Sequence, residues 1–285
     1  MAWSWLQSAS AQGATGLTVT FTTANCTAGS KLIAAVAGDN SSLTTVSSVK
    51  DAAGNAMTSL GSVTLGDGTG TVTLLAMDTP AADVGIKPVF TLTMSVGGGS
   101  AAMLVQEVSG LLAGNTTAMI DGTAGTATGS ASGTTTNPSY ASNAASEYLV
   151  VLYGDGGNSI TYTAPGSPWT GDPNGINTSF NDDCVISYRN STGGTETGQY
   201  SINGGVQWGV LMVAFKLPGG PASAPFYPRV QALAARRPLP SRGRSASNAG
   251  GPVRNPPAPL RAGPLPNFPA IIVTNSGWRN AGHSR

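Results

Sequence analysis

The residues able to do acid–base or nucleophilic work are few and poorly placed for it. A general base must be held rigidly within hydrogen-bond reach of its target, yet the single histidine, His283, lies near the C-terminus in a Pro- and Arg-rich stretch. That placement argues against a Ser-His-Asp or Cys-His site. No Gly-x-Ser-x-Gly elbow, His-Glu-x-x-His motif, phosphate loop or dinucleotide-binding glycine pattern occurs. Hydrolysis by paired carboxylates would draw on Asp155, Asp172, Asp182 and Asp183. Adjacent aspartates on a strand point to opposite faces, and aspartates beside Gly or Pro are turn formers, so no catalytic residue is assigned.

Sugar binding is the other chemistry within reach, because exposed aromatic rings stack on pyranose faces. Tyr153, Tyr162, Trp169 and Trp208 fall in or near strands of the second half of the chain. Core packing explains Tyr153 and Trp208. Trp169, in the loop Gly166-Ser-Pro-Trp-Thr-Gly171, and Tyr162 remain as candidate glycan contacts. Cys26 and Cys184 have no metal-ligand spacing and are expected as buried free thiols, a single disulfide being the alternative. Asp-Gly turns such as Gly66-Asp67-Gly68 lack an EF-hand or repeated spacing, so no metal or cofactor is expected.

The elements that must carry these residues read as strands. In Gly16-Leu-Thr-Val-Thr-Phe-Thr-Thr23, Leu17, Val19 and Phe21 alternate with threonines, and Thr71–Leu74 and Phe90–Met94 alternate in the same way. Leu32–Val36, Ala101–Val105, Tyr148–Tyr153 and Val210–Phe215 are apolar on both faces and read as central, doubly covered strands. Gly/Asp/Asn clusters punctuate them, and no stretch shows helical periodicity with caps. The expected fold is all-β, an antiparallel sandwich of jelly-roll or immunoglobulin-like type over residues 1–217. Lys31–Asp39 echoes Glu147–Asp155, which fits two similar halves, about 1–120 and 139–217. One sandwich holding both halves is the preferred form. Asp121–Pro138, rich in Gly, Thr, Ser and Ala, is read as a flexible surface crossover.

Charge divides the chain. Only 9% of residues are charged, so the surface is polar without being ionic. All 13 acids precede Pro218, with five basic residues among them, while residues 218–285 carry nine arginines, no acid and 13 of the 19 prolines. So proline-rich a segment cannot bury enough apolar surface to offset its ordering entropy, and it is expected as an extended arm without regular structure. Opposite net signs favour docking of this arm on the acidic body of a neighbouring copy. Its expected anchors are Phe226, Tyr227, Phe268, Ile271, Ile272, Val273 and Trp278, with Arg229, Arg236, Arg237, Arg242, Arg244 and Arg254 between them. The arginines lie among prolines rather than stacking aromatics, so nucleic acid ranks below protein as the partner. No apolar run is long enough for a membrane helix, and the N-terminus has no secretory signal, so no membrane insertion is expected.

Several segments carry a likeness. Thr27-Ala-Gly-Ser-Lys-Leu-Ile33, Val46-Ser-Ser-Val-Lys-Asp-Ala-Ala-Gly-Asn55, Gln106-Glu-Val-Ser-Gly110, Asp121-Gly-Thr-Ala124 and Val213-Ala-Phe-Lys216 resemble Gly/Thr-rich β-sandwich proteins encoded in the structural gene clusters of tailed bacteriophages. Those are described as minor tail or virion-associated proteins. Pro225-Phe-Tyr-Pro228, Ala235–Arg244 and Gly250–Pro256 look like their basic linkers. The resemblance implies a non-enzymatic virion component, tail-associated or capsid-decorating, assembled in the host cytoplasm and released by lysis. Its partners would be other virion subunits and copies of itself. The alternative is a carbohydrate-binding adhesin on a particle or cell surface, with a host-surface glycan as partner.

Overall fold

A computed structural model describes residues 2–14, 16–39, 43–96, 99–156, 161–176 and 182–219. Two compact units divide the chain, Met1–Tyr227 and Pro228–Arg285, and every described residue belongs to the first. The arm anchors expected from Phe226 to Trp278 lie outside the described residues, as does His283.

The body is all-β, as expected, and every pairing between its named strands is antiparallel; the one helical element among the described residues is a 3-10 turn at Thr117–Met119. Eight strands come first: β1 (Ser4–Ala14), β2 (Thr18–Thr20), β3 (Lys31–Asp39), β4 (Val46–Asp51), β5 (Thr58–Thr64), β6 (Thr71–Asp78), β7 (Val89–Met94) and β8 (Ser100–Ser109). They form a five-stranded sheet ordered β1-β8-β3-β6-β5 and a three-stranded sheet ordered β2-β7-β4. First pairs with last, second with seventh and third with sixth, while a bridge at Lys50–Ala56 joins β4 to the approach of β5. This is a long hairpin rolled on itself, the jelly-roll order rather than the immunoglobulin one.

The second set repeats the plan. It comprises β9 (Gly125–Gly129), β10 (Gly133–Thr134), β11 (Tyr140–Ala141), β12 (Ala145–Asp155), β13 (Tyr162–Thr163), β14 (Thr170–Gly171), β15 (Cys184–Thr192), β16 (Thr195–Glu196), β17 (Ser201–Ile202) and β18 (Trp208–Phe215). The sheets are β9-β18-β12-β15-β14 and β10-β17-β13, with β11 paired to β16. Taken strand for strand, the order is that of the first set. The Lys31–Asp39 echo of Glu147–Asp155 therefore marks two complete sandwiches rather than two halves of one. Asp121–Pro138, expected as a crossover, supplies β9 and β10. Small residues are required there: a Cβ on Gly125 would lie 2.6 Å from the Ser139 carbonyl oxygen, and one on Gly129 would lie 2.4 Å from the Trp208 ring.

Three apolar layers hold the stack. Val19, Phe21, Leu32, Val36, Phe90 and Leu92 fill the first sandwich, and Leu149, Val151, Tyr153, Tyr200 and Met212 fill the second. Between them the two five-stranded sheets pack face to face through Ile33, Val72 and Leu104 on one side and Tyr148, Val150, Leu152, Leu211 and Phe215 on the other. This back-to-back packing is why the four apolar runs are buried on both faces. The echo is right about strands but out of step by one residue. It aligns Ile33 with Leu149, yet Ile33 faces the neighbouring sandwich and Leu149 its own small sheet, and a one-residue slip exchanges the faces of a strand. Gly154 and Gly209 are partners across β12 and β18. A Cβ on either would fall within 3.1 Å of the Val72 side chain, so the pair forms the notch that receives it.

Candidate functional site

Both candidate glycan contacts lie in the second sandwich, in different settings. Tyr162 packs into an aromatic cluster, 5.5 Å from Tyr153 and 5.8 Å from Tyr200. Burial, reinforced by the nearby Asp183 charge, pushes its phenol above the ordinary tyrosine range. Trp169 is half-buried at an open groove of about 570 Å³ that it shares with Arg189, Gln199 and several threonines. Its indole N–H donates to the Thr197 carbonyl at 3.0 Å, and the Arg189 guanidinium lies 4.7 Å from its ring centroid. Arg189 thus covers the ring that a sugar would stack on. The structure does not bring Tyr162 into this groove.

The groove is one part of a longer trough. A second hollow shares Arg189, Pro168 and Thr192 with it and is also lined by Trp3, Tyr188 and Asn190. A third shares Trp3 and Asn190 with the second and ends at Leu217. No carboxylate lines any of the three. The residues that sequence reasoning missed are Trp3, Arg189, Asn190 and Gln199. Trp3 arrives from the residues just ahead of β1, donating to Asn190 Oδ1 at 2.8 Å and packing edge-on against Tyr148 at 4.6 Å, the hydrogen bond spanning 187 positions with no local signal.

The carboxylates are used as braces. Asp172 accepts from Ser8 Oγ at 2.7 Å, Gln106 Nε2 at 2.6 Å, Trp5 Nε1 at 3.2 Å and its own turn at Asn174 N at 2.8 Å. Gln106 Oε1 in turn accepts from the Tyr148 hydroxyl at 2.9 Å, so one buried network ties β1 and β8 to β12 and the loop after β14. Glu107 accepts from Gln7 Nε2, Thr27 N and Ser30 Oγ, closing the turn that precedes β3. Lys31, itself buried, pairs with Asp78 at 2.6 Å. Glu196 takes Arg189 at 2.7 Å together with Thr192 N and the Ser142 hydroxyl. Asp155 accepts from the Tyr153 hydroxyl at 2.7 Å. Thr27–Ile33 and Gln106–Gly110 therefore meet around Glu107 as structural joints.

Ten of the 13 acids are buried: Asp51, Asp83, Glu107, Asp121, Glu147, Asp155, Asp172, Asp182, Asp183 and Glu196. The acidic residues of the body therefore lie mostly beneath its surface. The acidic excess is real, but it is spent inside the fold, where turns and strand ends need acceptors. Three of these groups are held toward their neutral form. Asp182 is raised to about 7: burial drives the rise, and the charges of Asp39 and Asp155 add to it. The nearby Ser100 hydroxyl opposes it without reaching hydrogen-bond geometry. Glu147 is raised to about 7 by burial and then by Asp121, and Asp83 to about 6 by burial and then by Asp51. Cys26 and Cys184 are free and buried; burial lifts Cys26 to about 12 and Cys184 higher, which keeps both thiols protonated and poorly nucleophilic.

Among the described residues, no group of three or more His, Cys, Asp or Glu is arranged to hold a metal ion, and no helix is long and apolar enough to cross a membrane. No protein-family model, curated protein or solved structure matches the chain.

Proposed function

We propose that this chain is a non-enzymatic structural protein of a tailed-phage virion, its double sandwich displayed at the particle surface and residues 218–285 anchoring it to neighbouring subunits. Tail association ranks ahead of capsid decoration. The observation that carries the reading is the placement of charge. The acids brace turns and the inter-sandwich joint, leaving a polar, nearly uncharged exterior, while all nine arginines of the arm stand without an acid near them in sequence. A basic arm whose own body offers little acidic surface has its complement on a different subunit. Other virion subunits, rather than further copies of this chain, are therefore the favoured partners. The jelly-roll order agrees with this, since viral capsid and lectin domains share it, although fold by itself does not select a function.

The test is quantitative mass spectrometry of particles purified from the virus whose genome encodes the chain. A fixed copy number per particle supports the proposal. Absence from washed particles, with the chain recovered free in the lysate, rejects it.

A further inference from the structure

We propose that one end of the joint between the two sandwiches is a clasp worked by pH, closed while the Asp182 carboxyl carries a proton and loosened when that proton is lost. Four strand ends meet there, two from each of the sheets that pack face to face. β3 ends at Asp39, which pairs with Ser100 at the start of β8, while β12 ends at Asp155 and β15 starts at Cys184, opposite Gly154. The two sides touch. A Cβ on Gly156 would lie 2.5 Å from Asp39 Oδ2, and Gln12 of β1 donates to the Asp182 carbonyl at 2.6 Å.

Asp182 is 1% exposed, and neither of its side-chain oxygens receives a hydrogen bond. The charged groups that bear on it most are acidic: Asp39 from β3 and Asp155 from β12. From β8 comes only the Ser100 hydroxyl, which, like the Asp39 N–H, lies near without reaching hydrogen-bond geometry. Asp183, next in the chain, acts on Tyr153 and Tyr162 instead. The facing carboxylates have donors of their own, Asp39 the Thr69 hydroxyl at 2.7 Å and Asp155 the Tyr153 hydroxyl at 2.7 Å. A buried carboxylate without donors, set against two others, is costly as an anion. As an acid it becomes a donor, with Asp39 and Asp155 to receive its O–H. Loss of the proton removes that hydrogen bond and adds repulsion across the joint, which the strand ends relieve by parting and admitting water. The Asp172 end differs, since Ser8, Gln106 and Trp5 supply donors to that carboxylate. The other two raised acids, Glu147 against Asp121 and Asp83 against Asp51, each titrate within one sandwich and leave the joint shut.

The experiment is amide hydrogen exchange of the full chain at pH 6 and pH 8, read by mass spectrometry and divided by the intrinsic rate at each pH. The segments at the clasp are residues 36–39, 100–104, 152–155 and 184–187, and residues 105–109, the other end of β8, are the internal reference. Opening returns Asp182 from about 7 to its ordinary 3.8, so the opening constant should rise about 10-fold between the two pH values. Protection of the four segments should fall by that factor while that of residues 105–109 holds. Asp182→Asn keeps a donor facing Asp39 and Asp155 at every pH and should abolish the difference. Unchanged protection at the clasp would overturn the proposal, as would an equal fall in residues 105–109, which marks a general loosening. A fall that persists in Asp182→Asn would overturn it too, by assigning the titration to another group. The comparison of the two ends of β8 needs no variant.

Discussion

Asp172 is the joint whose removal has the most legible consequence. Its carboxylate receives four donors, two of them from residues buried in the first sandwich, Gln106 and Ser8. Asp172→Ala leaves both without an acceptor, and a buried unsatisfied donor costs about 1–3 kcal/mol. With the half-buried Trp5 N–H also orphaned, the expected destabilisation is about 3–5 kcal/mol. Asp172→Asn should be milder. Its remaining oxygen still serves Ser8 and Asn174. Gln106 can turn its amide over, offering Oε1 to the new amide and Nε2 to the Tyr148 hydroxyl, which accepts as readily as it donates. The Trp5 N–H and the Tyr148 hydroxyl proton then lack acceptors, at a cost of about 2–3 kcal/mol. Urea unfolding of the full-length variants, followed by far-UV circular dichroism, separates the two cases. Equal losses for Asn and Ala, or an alanine variant within about 1 kcal/mol of wild type, would refute the claim that this network locks the sandwiches together.

Three further outcomes follow from the same geometry. Asp182 has a folded value of about 7 against an ordinary 3.8, so the folded state holds the extra proton and its stability falls as pH rises from about 4 through about 7. By linkage this amounts to roughly 4 kcal/mol at most. Asp182→Asn should therefore gain on wild type from pH 5 to about pH 7 and level off above it in thermal melts, and a pH-independent gap would contradict the assignment. Gly209→Val drives a branched side chain into Val63 and Val72 and should cost about 1–3 kcal/mol. Val72→Ala should recover part of that loss in the double variant, and strict additivity in chemical denaturation would show that the notch is not a contact. Glu196→Ala removes the acceptor for Arg189, Thr192 and Ser142 at once. It should cost about 3 kcal/mol or more and change the Trp169 emission, since Arg189 rests on that ring; an unaltered spectrum would show that Arg189 holds its place without Glu196.

The strands that could be read from sequence were those whose partners impose a clear pattern. In β7, Phe90, Leu92 and Met94 are buried while Thr91 and Thr93 face out, as alternation predicts. In β6 the threonines are buried too, because Thr71 and Thr73 lie in a sheet covered on both sides; alternation of residue type does not reveal a second covering layer. β1 escaped notice because Ser, Ala and Gln dominate it, and its partner β8 lies about a hundred residues away. β9 resembled a linker because its glycines answer to Trp208 and Tyr140, which local composition cannot show. At the site, Trp169 was identifiable by its loop setting. Its neighbours Arg189 and Gln199 were not, since the turn-borne contacts that gather them span tens of residues.

The most direct test of the account is to replace the gene with one encoding a chain that ends at Leu217 and to measure its copy number in purified particles. The body should fold, with the β-type circular dichroism of the full chain, yet be missing from the particles because the anchoring segment is gone. A shortened chain incorporated at the full-length copy number would contradict the proposed role of residues 218–285.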